Sequence, residues 1–215
     1  MIGVIVFPGS NCELDVRWAL RSLGAEAELV WHRDTDLAGI DAVVLPGGFA
    51  HGDYLRTGAI ARFSPVMGQV ARLAEKGRPV VGICNGFQIL CEARLLPGAL
   101  IANRDLQFIC RPVEVEVTDN DNVLTAGIEV GTVLTIPLNS YEGQYTDPSG
   151  TARIVGRYVE DVNGSQDRAA AVANAAGNVV GIMPHPERSS EEVLGSADGR
   201  RMLQSLVAAA ARVPA

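Results

Sequence analysis

Residues 79–92 read PVVGICNGFQILCE, and a strand pattern gives way to a helix pattern inside them. PVVGI has no polar position, as expected of a strand buried on both faces. NGFQILCE, directly after it, reads as a helix. A strand running straight into a helix is the βα unit of an open α/β sheet. Cys84 stands at the junction, between Gly82 and Gly86.

The same unit repeats upstream. IGVIVF (2–7) is a short β-branched run closed by PGSN. Val16, Ala19, Leu20 and Leu23 then fall on one helical stripe, ended by Gly24. AELVWH (27–32) and AVVLPGG (42–48) read as two further strands. Ser64-Pro65 reads as an N-cap followed by proline at the first helical position, and Met67, Val70, Ala71 and Ala74 give the next stripe. The expected fold is α/β: a doubly wound, mostly parallel sheet with helices on both faces. Downstream the pattern changes. In RPVEVEV (111–117) Val113, Val115 and Val117 alternate with glutamates, which predicts an antiparallel addition beside or over that sheet. Residues 169–183 read as two strands joined by a turn at 174–178. Leu203, Leu206, Val207 and Ala210 stripe a closing helix. Neither a repeat nor a composition break interrupts the chain, so residues 1–215 are expected to form one domain.

Composition narrows the partners. Of 215 residues 47% are hydrophobic and 20% charged, enough apolar surface for a sizeable core. The formal net charge of −7 and the lack of a Lys/Arg block weigh against nucleic acid or an anionic membrane as partner. MIGVIVFPGSN lacks the basic start of a signal peptide, and no segment approaches the ~18 apolar residues of a membrane span. A cytoplasmic protein with reduced thiols is expected. Its cysteines, Cys12, Cys84, Cys91 and Cys110, form no C-x-x-C pair and none has zinc-finger spacing to a histidine, so no metal site is expected.

G-I-C-N-G has the shape of the G-x-S-x-G nucleophile elbow with sulfur in place of oxygen. The two glycines allow the tight turn, and the start of the following helix favours thiolate over thiol. A nucleophile needs a base. His32 ends a strand as a surface or partly packed residue, and His51 lies in PGGFAHGDY without an evident orienting carboxylate. His185 stands in PHPER, with Glu187 two residues on. An extended backbone would send both to one side, so Glu187 could accept from one ring nitrogen while the other faces the thiol. For an oxyanion hole, the backbone N–H of Asn85 is one donor and that of Gly48 in LPGGF (45–49) the second, with Gly47 allowing close approach of the main chain. Cys12, at a helix start in PGSNCELD, is the competing thiol. Cys91 and Cys110 read as structural.

GICNGFQ followed far downstream by MPHPE resembles the class I glutamine amidotransferases, whose fold is flavodoxin-like and whose chemistry is hydrolysis of the glutamine side-chain amide. FPGSNC (7–12), LPGGF (45–49), GDYLRTGAIARFSPVM (52–67), GICNGFQIL (82–90), LLPGAL (95–100), FICRPVE (108–114), NGS (163–165) and MPHPERS (183–189) resemble, through nearly the whole chain, the family of glutaminase subunits of phosphoribosylformylglycinamidine synthase. The resemblance implies Cys84 as nucleophile, His185 as general base then acid, and Glu187 as its orienter. It further implies Gly48 and Asn85 as oxyanion donors, with Gln88 and Gly47 on the bound glutamine. Departures from the family pattern are His51, where tyrosine is usual, and Tyr141 in PLNSYEGQY (137–145), where glycine is usual. The partners implied are a large ATP-dependent synthetase subunit, carrying ATP and magnesium, and a small bridging subunit. Together they make formylglycinamidine ribonucleotide in purine biosynthesis. No cofactor is expected in this chain, which has no Walker-type loop, and Arg56 with GDYLR is expected to face the partner.

Three other readings stay open on the sequence. A stand-alone γ-glutamyl hydrolase would share the triad. A DJ-1-like cysteine hydrolase uses a similar sheet, but there a histidine commonly follows the cysteine, where this chain has Asn85. A flavodoxin-like binding module would hold a phosphate at PGSN, which lacks a full phosphate-loop pattern.

Overall fold

The computed structural model describes residues 1–212. Chain order is β1 (Ile2–Val6), α1 (Glu13–Ser22), β2 (Ala27–Trp31), β3 (Ala42–Leu45), α2 (Pro65–Glu75), β4 (Val80–Ile83) and α3 (Asn85–Glu92). It continues with β5 (Ala99–Ile101), β6 (Ile109–Val117), β7 (Val133–Ser140), β8 (Gln144–Thr146), β9 (Arg153–Tyr158), β10 (Ala169–Ala173), β11 (Val179–Ile182) and α4 (Asp198–Ala211). Nine strands form one sheet in the order β2-β1-β3-β4-β11-β10-β9-β6-β7, and β5 pairs with β8 separately. From β2 to β11 neighbours are parallel; from β11 to β7 they are antiparallel. The addition read from RPVEVEV therefore lies beside the parallel strands and extends their sheet.

The strand sequences explain this division. Every residue of β3, β4 and β11 is buried, as both faces of a parallel sheet require. In β6, Val113, Val115 and Val117 are buried while Glu114 is exposed, so this strand has one wet face. Helix α1 buries Val16, Ala19 and Leu20, and α4 buries Leu203, Leu206 and Ala210. Each of the larger aliphatic side chains among them contributes about 1.5–3 kcal/mol when fully buried.

Helix α3 is pressed unusually close to the sheet, and two glycines allow it. A Cβ on Gly86 would lie 2.0 Å from the Leu45 carbonyl oxygen, and one on Gly181 would lie 2.0 Å from the Phe87 ring. Any side chain at either position would push the helix, and the cysteine before it, away from β4.

Two sequence expectations need correction. Ser64 precedes α2, but its hydroxyl makes no capping bond. Its Oγ instead sits 3.1 Å from His32 Nδ1 and 3.3 Å from His51 Nε2. His32 is accordingly buried rather than at the surface. Burial, followed by the neighbouring His51 and Arg33 charges, lowers its pKa against the opposing effect of Asp34. The capping signal failed because two imidazoles compete for the same hydroxyl.

Candidate active site

Cys84 follows β4 without a spacer. Its N–H donates to the Ile182 carbonyl at 2.7 Å, and its own carbonyl accepts from the N–H groups of Phe87 at 3.0 Å and Gln88 at 3.2 Å. Strand and helix thus both grip the residue, and it takes φ 51°, ψ −106°. For a non-glycine residue that conformation costs about 1–3 kcal/mol, strain that persists only where the surroundings enforce it. This is the bent elbow expected from G-I-C-N-G. The thiol approaches the Asn139 carbonyl at 3.5 Å.

His185 arrives from the next strand. Its N–H donates to the Pro137 carbonyl at 2.7 Å, and its Nδ1 lies 2.6 Å from Glu187 Oε1, with both side chains buried. The pairing matches the sequence reading; the backbone that produces it does not. Residues Pro186–Ser189 form a 3₁₀ turn instead of an extended segment, and the turn folds Glu187 back under the ring. A carboxylate on Nδ1 fixes the proton there and leaves Nε2 as the reactive nitrogen. Nε2 is buried and has no hydrogen-bond partner of good geometry. Burial pulls the imidazole pKa down. The Glu187 and Cys84 charges and hydrogen bonding to Cys12 and Cys84 more than offset it, so the net shift is well upward.

Two sulfurs therefore flank one ring. Donor atoms of Cys12, His185 and Glu187 lie within 4.8 Å of one another. Cys12 donates to Asn11 Oδ1 at 3.1 Å and accepts from Arg188 Nη2 at 3.2 Å. Burial opposes the charged form of Arg188, but the neighbouring Cys12, Glu187 and Asp15 raise its pKa on balance. Gly47 lies where all three groups converge: a Cβ there would be 2.7 Å from His185 Cε1, 3.1 Å from Cys12 Sγ and 3.5 Å from Cys84 Cβ.

Cys84, His185, Gly48 and Gln88 line one cavity of about 460 Å³, within the usual range for small-molecule sites. Gly48 bridges to Ser10 through bonds from Phe49 N–H to Gly9 and from Asn11 N–H to Gly47, so this bridge leaves the Gly48 N–H unused. Asn85 is the first residue of α3, and its amide accepts from Ala50 N–H and donates to Gln88 Oε1 and Asp53 Oδ1. Gln88 Nε2 donates to the Glu142 carbonyl at 2.6 Å.

The remaining candidates lie elsewhere. His51 turns to Ser64. Cys91 is buried within α3, and burial pushes its thiol far up in pKa. Cys110 is exposed on β6, outside the cavity lining, and donates to Asn139 Oδ1 at 2.9 Å. Arg56 makes a bidentate pair with Glu92 at 2.5 and 2.7 Å. Sequence reasoning missed Asp53, Asn139, Glu142 and Arg188 as cavity residues. Arg188, the last letter of PHPER, carried a usable signal; Asp53 and Glu142 sit in loops without periodicity, and Asn139 lies at the end of β7, whose alternation does not mark it as functional.

A thiol at a strained elbow, an imidazole held by a carboxylate and nearby main-chain N–H groups are the parts of nucleophilic acyl transfer.

The sequence pattern of the CobB/CobQ-like glutamine amidotransferase domain family matches residues 1–206. The phosphoribosylformylglycinamidine synthase subunit PurQ of Rubrobacter xylanophilus is 52% identical over 216 residues, covering 97% of this chain and 98% of that protein. The protein of the same name from Trichormus variabilis is 50% identical over 214 residues, covering 95% and 96%. Among solved structures, a chain of PurLQS from Thermotoga maritima superposes with a TM-score of 0.93 at 44% identity, covering 96% of this chain and 97% of that one. A putative GMP synthase protein from Thermoplasma acidophilum gives a TM-score of 0.69 at 17% identity over 98% and 94% of the two chains, which speaks to the fold alone.

Proposed function

The chain belongs to the CobB/CobQ-like glutamine amidotransferase domain family, and on that premise we propose that it is the glutaminase subunit of a phosphoribosylformylglycinamidine synthase. It hydrolyses L-glutamine to glutamate and passes the ammonia to a synthetase subunit. The observation that carries this reading is identity of about half the residues, over nearly the full length, to subunits of that name. That match favours it over a stand-alone γ-glutamyl hydrolase or a DJ-1-like hydrolase.

In this mechanism the Cys84 sulfur attacks the side-chain carbonyl carbon of glutamine while His185 Nε2 holds the thiol proton. The N–H groups of Gly48 and Asn85 receive the developing oxyanion. His185 gives its proton to the departing nitrogen, ammonia leaves, and a γ-glutamyl thioester stays on Cys84. The neutral ring then takes a proton from water, hydroxide adds to the thioester, and the thiolate leaves with glutamate released. Glu187 stabilises the imidazolium at both stages, in keeping with the upward shift of the His185 pKa. Gln88 and Gly47 belong to the glutamine-binding wall.

Ammonia in neutral water is mostly protonated and has lost its nucleophilic lone pair, so the chain is built to act within an assembly. We assign ATP and magnesium to the large synthetase subunit. A small bridging chain makes the contact between the two, with no nucleic acid or membrane involved. Among the described residues no helix is long and apolar enough to cross a membrane. The exposed loop with Tyr54, Leu55 and Arg56 is our candidate for the partner-facing surface.

The test is Cys84→Ala in the reconstituted synthase. Glutamine-dependent product formation should fall on the order of 10⁴-fold or more, as when a covalent nucleophile is removed, while added ammonia still supports synthesis. Retained glutamine use would contradict the assignment.

A further inference from the structure

We propose that the Asp53 carboxylate, supported by Glu142, binds the α-ammonium group of the glutamine substrate. This rests on the glutaminase reading and extends it to the part of the substrate that does not react.

The cavity that holds Cys84 and His185 has three other charged walls: Asp53, Glu142 and Arg188. Arg188 is engaged with Cys12 Sγ at 3.2 Å and Asp15 at 3.4 Å. Among the described residues neither Asp53 nor Glu142 takes part in an ion pair. Each accepts a single hydrogen bond from a side chain: Asp53 Oδ1 from Asn85 Nδ2 at 3.1 Å, and Glu142 Oε2 from Thr57 Oγ1 at 2.8 Å. One oxygen of each carboxylate is left for a ligand. Two acids facing one cavity without a counter-ion are costly unless something cationic enters between them.

Their placement relative to the chemistry is fixed. Asp53 bonds the Asn85 amide, which also bonds Gln88, and Gln88 bonds the Glu142 carbonyl. Asp53 through its carboxylate and Glu142 through its main-chain carbonyl are thus joined to the first turn of α3, which starts just after Cys84. The unpartnered Nε2 of His185, buried on the same cavity, marks the end where the amide reacts. A glutamine with its amide there has its α-carbon a short alkyl chain away.

The backbone also points to a function. His51, Asp53 and Leu55 all take positive φ, at 55°, 52° and 73°. Strain of this kind in closely spaced non-glycine residues needs a reason. Here it turns Asp53 to the cavity while Tyr54 and Leu55 face outward. Burial pushes the Asp53 carboxyl up to about 6, against the Asn85 hydrogen bond and with help from the Glu142 charge. A substrate ammonium would relieve that penalty.

The competing explanation makes Asp53 a positioning residue that merely holds Asn85. Steady-state glutaminase kinetics of the assembled synthase separate the two, using glutamine and 4-carbamoylbutanoate, which is glutamine without its amino group. Asp53→Asn should raise KM for glutamine by about 10- to 100-fold, the range of a lost charge-assisted hydrogen bond, with kcat much less affected. Toward 4-carbamoylbutanoate, followed as a substrate or, where turnover is too slow, as a competitive inhibitor, the variant and the wild type should behave alike. Glu142→Gln should show the same split more weakly and covers the case in which Asp53→Asn fails to fold. Equal losses on both compounds, or no loss on glutamine, would overturn the proposal. A wild-type assembly that does not hydrolyse glutamine at all would instead remove the glutaminase reading, and this inference with it.

Discussion

Two strand-to-helix turns of the same parallel sheet each carry a cysteine at a helix N-cap, and they differ in what governs reactivity. At the first, the connection from Phe7 to Asn11 separates β1 from Cys12, which takes an ordinary φ of −107°. At the second, no residue separates β4 from Cys84, which is forced to φ 51°. Cys12 is held by Asn11 and Arg188. Cys84 makes a long contact to the Asn139 carbonyl and stands next to the first N–H of α3. Both converge with His185 on Gly47, so proximity to the base does not distinguish them. The elbow does: one bend presents the sulfur and the first N–H of α3 to the cavity, whereas the relaxed turn packs its sulfur against the ring and the Arg188 guanidinium.

Gly47 offers the sharpest way to break this arrangement. In Gly47→Ala the added methyl would have to displace the His185 ring or the Cys12 sulfur. We expect glutaminase kcat to fall by about 10²-fold, the effect of misplacing a reacting group by roughly 1 Å, with folding retained as judged by circular dichroism. Unchanged kcat would mean that the ring need not sit where it does. Cys12→Ala, measured in the same assay, is the smaller perturbation. It removes a neighbour of the base but leaves the elbow intact, and the expected loss is under about 10-fold, equivalent to less than ~1.4 kcal/mol. A loss as large as that of Cys84→Ala would erase the contrast between the two turns.

The parallel half was legible because its signals are periodic. Strands such as AVVL and VVGI are buried on both faces, and their glycines mark the close approach of α3. His185 and Glu187 stand out in PHPER, although the extended backbone expected to join them is a 3₁₀ turn. Two residues apart, a carboxylate can reach an imidazole from either conformation, so the pairing survives the wrong geometry. Ser64 misleads because a cap signature says nothing about distant histidines that bond the same hydroxyl. Asp53, Asn139 and Glu142 are invisible as a group in the sequence. They come from a strained loop, a strand end and the turn after it, and only the folded chain brings them to one cavity. Cys12 is recognisable as a helix-start thiol, but its bond to Arg188 spans most of the chain.

The central claim is that Cys84, not Cys12, forms the bond to substrate. The most direct measurement is to treat the assembled protein with a glutamine-mimicking alkylator and locate the adduct by peptide mass spectrometry. We expect a single modification on the peptide carrying Cys84, blocked by excess glutamine. Modification of Cys12 with Cys84 left free would contradict the account.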